Sequence, residues 1–213
     1  ESIDFDRFPD LGRWPEQAQH FADKYRGMHF DAIVPEGSMA LRFVVEHLRS
    51  RFPDVPIVYG LVFEPVIDFS ALPAGVTGTR IEVANAATFE MARRLQPDAG
   101  RLVIVSGAAA MDSALLAEAL RDITPLAGAL EVIVLRDWTY DSLLRSLREV
   151  PPRTIVIMSS IRQDMRGQKF TTGDLMASIT SVTPVPVYGL ARNWVGSGIV
   201  GGSVMQFDDN GAQ

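Results

Sequence analysis

The sequence predicts an α/β fold built on parallel sheets, and three observations carry that prediction. Apolar runs of four to six residues recur along the chain, each followed by a Gly, Ser or Asp turn and then by a stretch with apolar residues three or four apart. The runs are almost continuously hydrophobic, as strands covered on both faces must be. The 47% apolar content of the 213 residues is ample for a buried core.

Taken in order, the strands are expected at Asp31–Val34, Ile57–Tyr59, Leu102–Val105, Val132–Leu135, Ile155–Met158 and Val185–Tyr188. Helices are expected near 16–26, 38–50, 86–95, 111–122, 140–149 and 173–181. Ser38, Asp112 or Ser113, Thr139 or Asp141, and Thr172 ahead of Asp174 are the candidate caps that fix where strand gives way to helix. The rhythm breaks twice. Pro65, Pro73, Gly75 and Gly78 interrupt Phe63 to Thr79, and glycines crowd Leu190 to Gly202, so the chain is expected to cross between two lobes at both places.

Composition excludes several functions. Twenty-six acidic against twenty basic side chains give a formal charge of −6, which favours neither a nucleic-acid backbone nor an anionic membrane as partner. No apolar run approaches the roughly 20 residues that span a bilayer. Without cysteine there is neither a disulfide nor a thiolate site, and His20, His29 and His47 have no metal-binding spacing, so no metal is expected. Ser106-Gly107-Ala108-Ala109-Ala110-Met111 lacks dinucleotide glycine spacing, Lys24 and Lys169 follow no phosphate-binding glycine loop, and no serine lies in a nucleophile elbow. No cofactor and no catalytic residue is expected. Glu1-Ser2-Ile3-Asp4 carry no leader pattern, which puts any signal peptide or anchor outside these residues, and Asp209-Asn210-Gly211 reads as the start of a further helix.

Open parallel sheets bind ligands outside the carboxyl ends of their strands. The residues there are mostly small and polar, which lets a ligand approach backbone amides. The competing reading, for each alone, is a tight turn or helix cap. The candidate ligand-contacting set is Glu36, Ser38, Phe63, Ser106, Asp112, Trp138, Ser159, Ser160, Tyr188 and Asn193. Trp138 is the most specific member, since an indole at a strand end can stack on a ring while donating one hydrogen bond. An enzyme using Asp137, Asp164 or Glu36 is the reading from another class.

Ile155 to Ser160, Arg162 to Phe170, Pro186 to Gly189 and Gly196 to Gly202, with Asp4 to Pro9 at the start, form an order that resembles the type I periplasmic-binding-protein-like family. More narrowly they resemble the extracytoplasmic sensor domains of bacterial histidine kinases, relatives of ABC-transporter solute-binding proteins. The resemblance implies two Rossmann-like lobes joined by crossover strands, with lobe one at 1–76 plus 190–213 and lobe two at 77–189. It further implies a polar small molecule held in a cleft between them, with Glu36 to Phe63 on one side and Ser106, Trp138 and Ser160 on the other. An extracytoplasmic location is expected, with a homodimer as a further option. Family members carry one more strand and helix at the start and a longer helix at the end.

Overall fold

The computed structural model describes residues 11–63, 67–190 and 194–203. They form mixed α/β structure with parallel sheets and divide into two compact units between Glu82 and Val83.

The first unit opens with a 3-10 turn, Leu11–Arg13, leading into helix α1 (Trp14–Lys24). Pro15 sits in its first turn, where a missing N–H costs nothing. Helix α2 (Ser38–Phe43) changes pitch into a π turn (Val44–Leu48) and then a 3-10 turn (Arg49–Arg51), so the expected helix over 38–50 is present but irregular. Strand β1 (Ile57–Phe63) pairs in parallel with β2 (Val76–Ile81), from Ile57↔Val76 to Phe63↔Ile81, with a register break between Tyr59 and Val62. Leu61 sits at that break with φ of 56°, a left-handed conformation unusual for a residue with a side chain. The strand expected at Asp31–Val34 is reduced to isolated parallel bridges, Ile33↔Ile57 and Glu36↔Gly60. Pro35 has no N–H to extend the ladder on either side. Trp14, Ala18, Leu41, Phe43, Ile57, Tyr59 and Val62 form the core of this unit.

The second unit contains α3 (Asn85–Leu95), β3 (Arg101–Val105), α4 (Ala110–Ala127), β4 (Glu131–Leu135), α5 (Tyr140–Arg148), β5 (Thr154–Met158), α6 (Thr172–Val182) and β6 (Val187–Gly189). Its sheet is parallel throughout, in the order β4-β3-β5-β6, with Arg101 opposite both Glu131 and Thr154. Side-chain alternation divides each strand between two helix layers. Leu102, Ile104, Ile155 and Ile157 pack under Phe89 and Ala92 of α3 and Leu116, Ala119 and Ile123 of α4. Val103, Val105, Val156 and Met158 pack under Leu143 and Leu147 of α5 and Leu175, Met176 and Ile179 of α6. Burial on both faces is why these strands read as unbroken apolar runs. α4 continues past the expected end at 122, with Pro125 accommodated in its last turn.

The division between units falls elsewhere than the sequence suggests. β2 is hydrogen-bonded to β1, so residues 77–82 go with the first unit. The glycine-rich return goes with the second: Val200 N donates to Val187 O (2.9 Å), Gly189 N donates to Gly201 O (3.0 Å), and Ser203 N donates to Thr88 Oγ1 (3.0 Å). A Cβ at Gly202 would stand 2.0 Å from Gly189 O, so only glycine lets the return lie this close to β6.

Candidate ligand-binding site

In the second unit the chain leaves β3 toward one sheet edge, β4, and leaves β5 toward the other, β6. The crevice of such a sheet opens where that reversal occurs, beyond the ends of β3 and β5. The residues there are Ser106-Gly107 and Ser159-Ser160.

They are fastened to one another. Gly107 N donates to Ser160 O (2.7 Å) and Ala108 N to Gln163 O (2.9 Å). The centre of the fastening is Asp112, fully buried in the first turn of α4. Its Oδ1 accepts from Ser160 Oγ (2.6 Å), and its Oδ2 accepts from Ala109 N and Arg162 N (3.1 Å each). The Ala109 bond caps α4 from within, since Ala109 has no side-chain oxygen to cap with. Three donors satisfy the buried carboxylate and weld the loop after β3 to the loop after β5. Ser106 Oγ donates to Asp112 O (3.2 Å), and Trp138 Nε1 donates to Ser106 O (2.8 Å). A Cβ at Gly107 would stand 2.3 Å from Asp112 Oδ2, so the weld also needs glycine there.

The structure thus brings Ser106, Asp112, Trp138 and Ser160 together in one network. Ser159 is adjacent, with its N–H on Val105 O (2.9 Å) and its buried hydroxyl without a partner among the described residues. Two sequence expectations change. Trp138 is 5% exposed and belongs to the core, so its indole offers no stacking face. Tyr188 is also buried: strand alternation turns it under α3, where its hydroxyl accepts from Gln96 Nε2 (3.1 Å) and burial raises its pKa above the ordinary 10.0.

In the first unit Ser38 is buried, and its Oγ accepts from Phe63 N (3.0 Å), tying the start of α2 to the end of β1, while Glu36 lies exposed beside them. Asn193 lies outside the described residues. Of the other acids weighed, Asp137 is exposed and pairs with Arg136 (3.6 Å). Asp164 is buried and accepts from Arg166 N and Gln168 N (2.9 Å each) and from Tyr140 N (3.3 Å). Among the described residues no group of His, Asp and Glu could hold a metal ion, and no helix is long and apolar enough to cross a membrane.

Two features escaped sequence reasoning. Tyr140 and Phe170, both half-buried, stack with centroids 5.5 Å apart and planes 28° from parallel. Phe170 also lies 6.3 Å from Trp138. The aromatic ends of two βα connections were the available signal, but nothing in the sequence pairs them. The first unit also holds an open cavity of about 660 Å³ lined by Phe21, Tyr25, Phe30, Phe43 and Phe52 with Glu36 at its wall. That volume lies within the range of small-molecule sites, roughly 300–1,000 Å³.

No known protein family and no curated protein matches the chain. Solved structures do. An ABC domain in complex with L-Trp from Streptococcus pneumoniae superposes with a TM-score of 0.55 at 14% identity, covering 85% of this chain and 62% of that one. A conserved domain protein from Vibrio cholerae O1 biovar El Tor gives 0.54 at 15% identity, over 88% of this chain and 63% of that one. The ligand-free, open structure of a substrate-binding protein with adhesive properties from Clostridium difficile gives 0.54 at 13%, over 92% and 75%. This chain therefore spans less than two thirds of the length of the first two. The fold is that of the type I periplasmic-binding-protein-like proteins.

Proposed function

We propose that this chain is a small-molecule ligand-binding domain that performs no chemistry of its own. The observation that carries the reading is the strand-end weld: the loops beyond β3 and β5 are held rigid at the reversal point of a parallel sheet by Asp112, as a preorganised binding surface requires. The names of the structural neighbours support it, since one is a complex with L-Trp and another a substrate-binding protein. Their likeness also supports a location outside the cytoplasm. Asp164 is spent on three backbone N–H groups and Asp137 is exposed beside Arg136, an arrangement that supports binding over acid–base catalysis.

Within that class we read the domain as the extracytoplasmic sensor region of a signalling protein. A solute-binding component of an ABC transporter is the second reading, favoured by the neighbours' names. The adjoining sequence separates them: a membrane helix followed by kinase modules supports the sensor, and a short secreted chain supports the carrier. Thermal unfolding and calorimetry of the full-length protein against sugars, amino acids, carboxylates and purines test the shared claim. A ligand at a hundred times its Kd stabilises the protein by about 2.7 kcal/mol. Silence across all four classes contradicts it.

A further inference from the structure

A glycine-rich segment at an expected crossing between lobes has the composition of a hinge, because a few small residues can absorb a large backbone rotation. Gly196, Gly198, Gly201 and Gly202 give residues 194–203 that composition. Their surroundings in the second unit are those of a fixed part. The segment starts in the core beneath α5 and α6, where Trp194 is 5% exposed and Ile199 is buried with it. Thr180 Oγ1 of α6 donates to Ser197 O (2.7 Å). The chain then follows the edge strand β6: Val200 N donates to Val187 O (2.9 Å), Gly189 N donates to Gly201 O (3.0 Å), and Gly201 is bridged in parallel to Tyr188. It ends on α3, in the opposite helix layer, where Ser203 N donates to Oγ1 of the fully buried Thr88 (3.0 Å). The glycines serve this path. A Cβ at Gly198 would stand 2.5 Å from Thr180 Oγ1, one at Gly202 2.0 Å from Gly189 O, and one at Gly189 2.6 Å from Trp194 Cε3. These are close-packing contacts that a swinging segment would give up.

We infer that residues 194–203 are a rigid clasp rather than a hinge: they fasten the α6 layer to the α3 layer around the β6 edge, and ligand-driven bending of the chain falls outside them. The clasp also occupies main-chain groups of β6 that an open edge would offer to another chain. The place of the bending rests on the ligand-binding reading; the clasp itself does not.

The test is amide exchange on the full-length protein without ligand, followed by NMR. The amides of Gly189, Val200 and Ser203 should be protected about a hundred-fold or more relative to an unstructured peptide, because a clasp opens only when the unit around it opens. Thr88→Val and Thr180→Val remove one hydroxyl each at nearly constant shape. Each should speed exchange at Ser203 and Val200 about ten-fold and leave the β4 amides unchanged. Gly202→Ala should lower the unfolding midpoint, whereas Gly100→Ala, whose added Cβ meets nothing within 4 Å, should not. Unprotected clasp amides in the unaltered protein overturn the inference. So does exchange in both valine variants equal to that of the unaltered protein, or a Gly202→Ala variant as stable as Gly100→Ala. No readout involves a ligand, so the ligand-binding reading stands or falls separately.

Discussion

Asp112 shows how a residue can be placed at a strand end by its sequence context while its partners stay hidden. Its position after β3, in the first turn of a helix, is readable in the sequence. Its partners are not, because Ser160 and Arg162 lie 48 and 50 residues away and reach it only when β5 pairs with β3. The same holds for Ser38, whose partner Phe63 is 25 residues on. A polar strand-end residue that faces a ligand and one that fastens a neighbouring loop have the same sequence signature. Replacing Asp112 by Asn presents an N–H₂ group where three donors converge. Asp112→Asn should therefore lose about 1–3 kcal/mol in denaturant unfolding, and ligand affinity should fall with it as the two loops come apart. Unchanged stability would mean that the carboxylate does not hold the loops. Tyr188 gives a pH prediction. Its pKa is raised in the folded protein by burial, so the neutral hydroxyl is favoured by folding. That contribution is complete below the unfolded value of 10.0 and is lost as pH rises through and beyond it toward the folded value. In alkaline titrations followed by circular dichroism, Tyr188→Phe should remove part of the stability loss above that pH. The same loss in both proteins would place the sensitivity elsewhere.

At the scale of elements, the second unit was legible because its physics is local and repeated. Strands covered on both faces must be apolar at every position, and β3 and β5 meet that demand: Leu102 to Val105 and all five residues of β5 are buried. Ile157 has no exposed surface and packs under α3 and α4. Ile157→Ala should cost about 2–5 kcal/mol in chemical denaturation. A loss under 1 kcal/mol would mean that the core fills the void at little cost. The strand expected at 31–34 forms only isolated bridges, since Pro35 interrupts the ladder and Val34 is 66% exposed. The pitch change in α2 at Val44–Leu48 has no cue in residue type that separates it from ordinary helix. The aromatic pair Tyr140 and Phe170 escaped notice for a related reason. Each residue begins or precedes a helix in a different βα connection, and only the hairpin of 163–169 brings them together.

For the whole molecule, the chain divides into two compact units after Glu82, a boundary set by hydrogen bonds that the breaks in rhythm do not announce. The second unit has a four-stranded sheet with a helix layer on each face, and the first has a two-stranded sheet extended by isolated bridges. Amide exchange should accordingly be slowest in β3 and β5 and faster in β1 and β2, because the most protected amides lie where burial is complete. Fastest exchange in β5 would contradict the assignment of the core. The central claim is that this fold holds a small molecule. The most direct measurement is a shift of the thermal unfolding midpoint of the full-length protein across the panel of sugars, amino acids, carboxylates and purines. A saturable rise with one chemical class, lost in Asp112→Asn, is the expected result. A flat midpoint for every class, with calorimetry equally silent, would contradict it.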